Sequence, residues 1–164
     1  MSETLAERAA AFIVNAKNRN HSPAVVELAK RCLVDWMGVA IGASGEPVSR
    51  TVALSALAWG AQGEARILLG DRTTPALAAL ANATMGHALD FDDTRGHAPS
   101  HLSSPTWSAA LAVAQHRDMD GVTALSAFIT GYEISAVIGD VLAGGEDIGT
   151  YGFGNLMQGA GFHP

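Results

Sequence analysis

Cys32 is the only cysteine in 164 residues. One thiol cannot close an intrachain disulfide, carry an iron–sulfur cluster or build a cysteine zinc site, so a reducing, cytoplasmic setting is expected. Cations are scarce as well. Ten Lys and Arg against sixteen Asp and Glu leave a formal net charge of −6, with no basic run. Binding to duplex nucleic acid needs a positive face that neutralises phosphates, and that partner is excluded. A small anion would meet a repulsive overall field, so any cation that holds it must be placed locally. Strand-type alternation is nearly missing. No unbroken apolar run reaches membrane-spanning length: the candidate from Leu33 to Ala43 is short and contains Asp35, so no membrane partner is expected. The N-terminus lacks a basic region followed by an apolar core and a small-residue cleavage site.

What is present is apolar and helical. Hydrophobic residues make up 48% of the chain, enough for one globular domain over residues 1–164. Periodicity and punctuation predict six helices. The first spans about Thr4 to Lys17, with Ser2 as its cap and Leu5, Ala9, Phe12, Ile13 and Ala16 on one face. The second opens at Ser22-Pro23 and carries the stripe Val25, Leu28, Ala29, Cys32, Trp36, Val39, Ala40. Gly38 and Gly42 on it would admit a close neighbouring helix. The third covers Pro47 to Trp59, and Glu64 to Gly70 reads as extended. The fourth opens at Thr74-Pro75 and runs towards Asp90 and Phe91. The fifth covers Pro105 to Arg117, and the sixth Val122 to Leu142 after an Asp120-Gly121 break. The expected fold is an all-α, orthogonally packed multi-helix domain. Its apolar stripes exceed what a small monomer buries, so self-association is expected, with the second and fourth helices near the contacts. The glycine-rich end, stopping at His163-Pro164, reads as a chain that has been cut.

Against this bland background one segment stands apart. His87, Asp90, Asp92, Asp93, Thr94, His97 and His101 fall within fifteen positions, although only 16% of the chain is charged. Continuing the fourth helix to Asp90 puts His87 and Asp90 on one face, three residues apart. A further turn would bring Asp90 and Thr94 together, with Asp92 and Asp93 pointing elsewhere. A carboxylate at a helix C-terminus faces the negative end of the dipole, a placement that suits holding a proton or a cation. Three readings compete: a solvated polar turn, a divalent metal site from His87, Asp90, Asp93 and His97 or His101, and metal-free acid–base catalysis.

Other motifs fail. Gly152-x-Gly154 lacks a preceding strand and the third glycine, and Ala160 stands where a phosphate loop needs lysine. Ser103 and Ser104 have no nucleophile-elbow context. Trp36, Trp59 and Trp107 read as core, and Glu133 as a paired structural carboxylate.

HALDFDDT, a following histidine in HLSSPTWSAALA, then GYEI and GFHP, occur in that order. With DWMGVAIGAS and ARILLGDRTTPALAALANATMGHALDFDDT upstream, the chain resembles the MmgE/PrpD family. That family includes 2-methylcitrate dehydratase, cis-aconitate decarboxylase and iminodisuccinate epimerase. The resemblance implies a longer, homodimeric protein with a large helical domain and a smaller α+β lid domain, of which this chain covers the first part of the helical domain. It also implies a lyase acting on a small di- or tricarboxylate by metal-free acid–base chemistry, with no cofactor. Within the family, 2-methylcitrate dehydratase is the first reading, beside a decarboxylase or epimerase.

By the same resemblance Asp90 and Thr94 match the family's active-site acid and hydroxyl. His101 matches a histidine usually followed by Pro-Ser; Leu102 follows it here, so His97 competes for that position. Thr94 and His97 are the expected substrate contacts, and His163 matches the histidine of Gly-Phe-His. The family's lysines and a tyrosine lie further on, and Lys17 and Lys30 match neither. The 164-residue piece alone is therefore expected to be inactive, a helical fragment that folds or associates without turnover.

Overall fold

The computed structural model describes residues 4–16, 19–60, 62–95 and 100–142. Six helices dominate it: α1 Leu5–Val14, α2 Pro23–Gly42, α3 Pro47–Trp59, α4 Pro75–His87, α5 Ser103–His116 and α6 Gly121–Leu142. The strands β1 Ala65–Arg66 and β2 Arg72–Thr73 form a two-residue antiparallel ladder pairing Ala65 with Thr73. The chain is all-α, as its sequence predicts.

Local chemistry explains most of the boundaries. α1 starts at Thr4, whose hydroxyl accepts from Glu7 N–H at 3.3 Å while the Glu7 carboxylate accepts from Thr4 N–H at 2.7 Å. This capping box, not Ser2, fixes the start; Ser2 lies outside the described residues. Ser22 caps α2 by accepting from Val25 N–H at 3.4 Å, with Pro23 at a position that has no amide to lose. Asp120 accepts from Thr123 N–H at 2.8 Å and opens α6. α5 begins at Ser103, two residues before the expected Pro105.

Two layers of core meet at α2. Val25, Ala29, Cys32 and Trp36 pack with Leu102, Trp107, Phe128, Ile129, Tyr132 and Ala136. The Trp107 and Phe128 rings stack at 4.2 Å between centroids. Ala40, Ala56, Ile67, Ala78, Ala81, Met85 and Ala112 form the second layer beneath α3, α4 and the small hairpin. Buried Asn82 ties α4 to that hairpin, accepting from Leu68 N–H at 2.8 Å and donating to the Arg66 carbonyl at 3.0 Å.

Several expectations need correcting. Trp59 is 75% exposed, because α3 ends there and turns its last side chain outward, and Ile13 on α1 is also exposed. A side chain on Gly38 would meet nothing within 4 Å, and one on Gly42 only Leu89 at 3.7 Å, so this pair mediates no tight approach within the chain. The helical glycine with the closest neighbours among the described residues is Gly86 on α4. A Cβ there would lie 2.5 Å from both Trp36 Nε1 and Ser104 Oγ, so α2, α4 and α5 converge on a position without a side chain. Finally, α6 is long and apolar enough to cross a membrane over Gly121–Asp140 by length and composition, which the sequence reading passed over. It carries Phe128, Ile129, Tyr132, Ala136 and Val137 into the core.

Candidate active site

The fourth helix stops at His87 and not at Asp90. Asp90 takes up a left-handed backbone conformation, φ 55°, and its N–H returns to the His87 carbonyl at 3.0 Å. Aspartate tolerates that conformation better than most residues. The chain therefore folds back across the end of α4 instead of continuing it. The expected Asp90–Thr94 pair on one helical face does not form. Thr94 is exposed, and no hydrogen bond between described residues joins it to Asp90.

The reversal buries Asp92, whose side chain has 0% exposure. One of its oxygens, Oδ1, lies 2.9 Å from His87 Nδ1 and 3.1 Å from His101 Nδ1. The His101 Nδ1 is also 3.1 Å from the Asp92 carbonyl. A carboxylate or carbonyl oxygen only accepts, so each Nδ1 carries the proton and each Nε2 is left facing away from Asp92. The two rings meet edge to face, with centroids 4.6 Å apart. Asp90, with 78% of its side chain exposed, places Oδ1 3.6 Å from His101 Nε2. Hydrogen bonding to Asp92 pulls the His87 pKa above its usual value, with a further contribution from the Asp90 charge.

Both imidazoles open on a pocket of about 610 Å3 whose walls include Val48, Thr84, Ser104 and Pro105. Its hydroxyls are committed to backbone, Ser104 to the Ala83 carbonyl at 2.9 Å and Thr84 to the Leu80 carbonyl at 2.9 Å. A larger groove of about 1400 Å3 between α1, the start of α2 and α6 shares no lining residue with this pocket. There His21 meets Ser126 Oγ at 3.1 Å, and burial lowers its pKa.

Behind Asp92 lies a second set of acids. Asp93 lies beside Asp35 on α2, and burial raises the pKa of both side chains. Asp35 Oδ2, Asp92 Oδ2 and Asp93 Oδ1 are buried without a hydrogen-bond partner among the described residues. Ser103 lies beside Asp93 and Cys32, and its buried hydroxyl has no hydrogen-bond partner among the described residues. Burial pushes the Cys32 thiol up to about 11, which makes it an inert core residue.

Of the residues expected from sequence, the structure brings His101 and Asp90 together and leaves Thr94 apart. His97 and His163 lie outside the described residues. The sequence reading missed the centring role of Asp92, which it expected to point away. Asp35 was visible as the one charge in the apolar run from Leu33 to Ala43. Arg95 was missed too. Its guanidinium forms a bidentate pair with Asp140, Nη2 to Oδ2 at 2.8 Å, and donates to the Ala136 carbonyl at 3.0 Å. No spacing rule links positions 95 and 140.

His87, Asp90, Asp92 and His101 each present one donor atom within 4.8 Å of the others. These types suit a divalent cation, with Asp92 in place of the expected Asp93. Asp92 holds both imidazole Nδ1 atoms, which leaves the Nε2 atoms as the open positions of this set.

Residues 7–154 match the family described as MmgE/PrpD N-terminal domain. No curated protein matches the chain.

Proposed function

The chain belongs to the MmgE/PrpD family, and from that premise we propose that it supplies acid–base groups to a lyase acting on a small di- or tricarboxylate. The observation that carries this reading is the convergence of His87 and His101 on buried Asp92 at the wall of a pocket. The His101 Nε2 takes the proton from the carbon next to a substrate carboxylate. The C–H electrons form a double bond as the neighbouring C–O bond breaks, and the leaving oxygen departs as water with a proton from the site. Asp90, 3.6 Å from Nε2, stabilises the imidazolium that forms. Asp92 holds the ring and its tautomer from behind. Thr94 and His97 contact substrate, and Thr94 and His163 join the catalytic groups, in this proposal on the strength of the family resemblance alone. No metal or redox cofactor enters it.

Within the family we favour a 2-methylcitrate dehydratase-like reaction in a cytoplasmic homodimer. An epimerase would remove the same proton and return one to the opposite face of that carbon, whereas a decarboxylase would release carbon dioxide and use the site to deliver a proton to the carbon framework in its place. The test is an assay of 2-methylcitrate, cis-aconitate and iminodisuccinate with a chain continued through the family's lysine-bearing region. We expect turnover of one of them, lost by a factor of a hundred or more with Asp90→Ala or His101→Ala, on the order of an acid–base contribution. Unimpaired turnover in both variants sinks the assignment.

A further inference from the structure

We propose that His87 forms a carboxylate-binding subsite beside His101, in which an anion accepts from the His87 Nε2–H and draws a proton onto that imidazole as it binds, while the His101 Nε2 stays free to act as the base. This inference rests on the reading of the pocket as a polycarboxylate site and assigns His87 a role there. The geometry makes the case. A single oxygen of Asp92 takes both Nδ1 atoms, at 2.9 and 3.1 Å, so both rings are anchored by the same atom with Nε2 turned away from it. The rings lie 4.6 Å apart and border the same pocket, and 53% of the His87 side chain is open to solvent.

The groups facing His87 are Asp92, Asp90 and His101. The walls from α3 and α5 contribute Val48, Ser104 and Pro105, none of which titrates. With both imidazoles neutral, Asp90 and Asp92 give the cluster a charge of −2, and an incoming carboxylate would be repelled. Protonating the His87 Nε2 halves that charge and turns an acceptor into a donor. Arg95, the buried cation beside this loop, is committed to Asp140 and the Ala136 carbonyl. The hydrogen bond to Asp92 already favours the charged form of His87. An anion at His87 therefore binds more tightly as pH falls.

The probe is tricarballylate, a tricarboxylate with no hydroxyl to eliminate. Calorimetric titration at pH 7.5 in two buffers of different ionisation enthalpy reads the protons taken up per anion bound. We expect uptake of close to one proton, and binding at least tenfold tighter at pH 6.0 than at pH 8.0. His87→Gln, a change at a half-exposed position, is expected to abolish most of that uptake and weaken binding at pH 6.0 about tenfold. In Asp92→Asn at most one ring keeps a good bond to the amide oxygen and the charge that favours the imidazolium is gone, so the uptake falls likewise. Uptake unchanged in His87→Gln overturns the subsite even if turnover of a family substrate is found. Binding and uptake that persist while every family substrate is inert would uphold the subsite and reject the lyase. Absence of tricarballylate binding at millimolar concentration overturns it outright.

Discussion

The indole of Trp36 fills the space that a side chain on Gly86 would need: a Cβ there would fall 2.5 Å from Nε1 and 2.6 Å from Cδ1. Trp36 is fully buried on α2, and Gly86 immediately precedes the His87 that closes α4. The closeness of these two helices thus sets where the first imidazole of the site stands.

Gly86→Ala is the direct test of that packing. In a helix interior the change alone gains about 0.5–1 kcal/mol. Overpacking a filled core costs about 1–3 kcal/mol, and here the neighbours are a buried indole and the Ser104 hydroxyl, with little room to give. We expect net destabilisation of about 1–2 kcal/mol by urea denaturation. Stability equal to the parent would show that α2 and α4 separate freely.

The Arg95–Asp140 pair fastens the loop after α4 to the far end of α6. Both side chains are nearly buried, 8% and 11% exposed, and the contact is bidentate. Removing one partner strands the other charge, at a cost of about 3–5 kcal/mol. Arg95→Met should lose that much in denaturant titration. The double variant with Asp140→Leu should recover most of the loss, since an apolar pair of similar size is often neutral. Failure of the second change to restore stability would place the loss in the bond to the Ala136 carbonyl instead.

Asp93 gives a prediction with a pH window. Burial raises its pKa above the usual 3.8, with Asp35 and Asp92 adding repulsion. A raised carboxylate favours the folded state fully below about 3.8 and loses that contribution as pH rises through its folded value. At neutral pH the ionised group is a liability, and one of its oxygens has no partner among the described residues. Asp93→Asn should therefore be more stable than the parent at pH 7, with the advantage shrinking as pH falls towards 4. Denaturation midpoints across that range decide it; a constant difference would mean that Asp93 does not titrate with folding.

Helix starts were legible in the sequence because their signals are local. Ser22-Pro23 and Thr74-Pro75 each place proline where no amide is needed, and both helices begin there. The capping box of Thr4 and Glu7 was equally local, and reading it would have displaced Ser2. The end of α4 was not legible. HALDFDD contains no glycine or proline to stop a helix, and what stops it is burial of Asp92 against two imidazoles, one of them fourteen residues beyond His87. That contact is worth more than another helical turn, and it moves the centre of the cluster from Asp90 to Asp92. The seven-residue constellation was thus found from composition alone, whereas its internal arrangement depended on tertiary contacts that helical spacing cannot express.

The role of Asp92 as a positioning residue separates it from a merely structural acid. Asp92→Asn keeps the shape but replaces an ionised acceptor, so only one imidazole can retain a good bond to the amide oxygen. The His87 pKa, raised chiefly by that hydrogen bond, should fall back towards 6.5 or below, as read from the ring proton shifts. A raised histidine stabilises the fold fully below its unfolded value and loses that contribution as pH rises through its folded one. The variant should therefore flatten the dependence of stability on pH in the window just above 6.5, with little change in that slope below it. In a catalytically competent chain the loss should appear mainly in kcat, because His101 loses the partner that fixes its tautomer. A purely structural Asp92 would lower the yield of folded protein and leave both kcat and the His87 titration where they were.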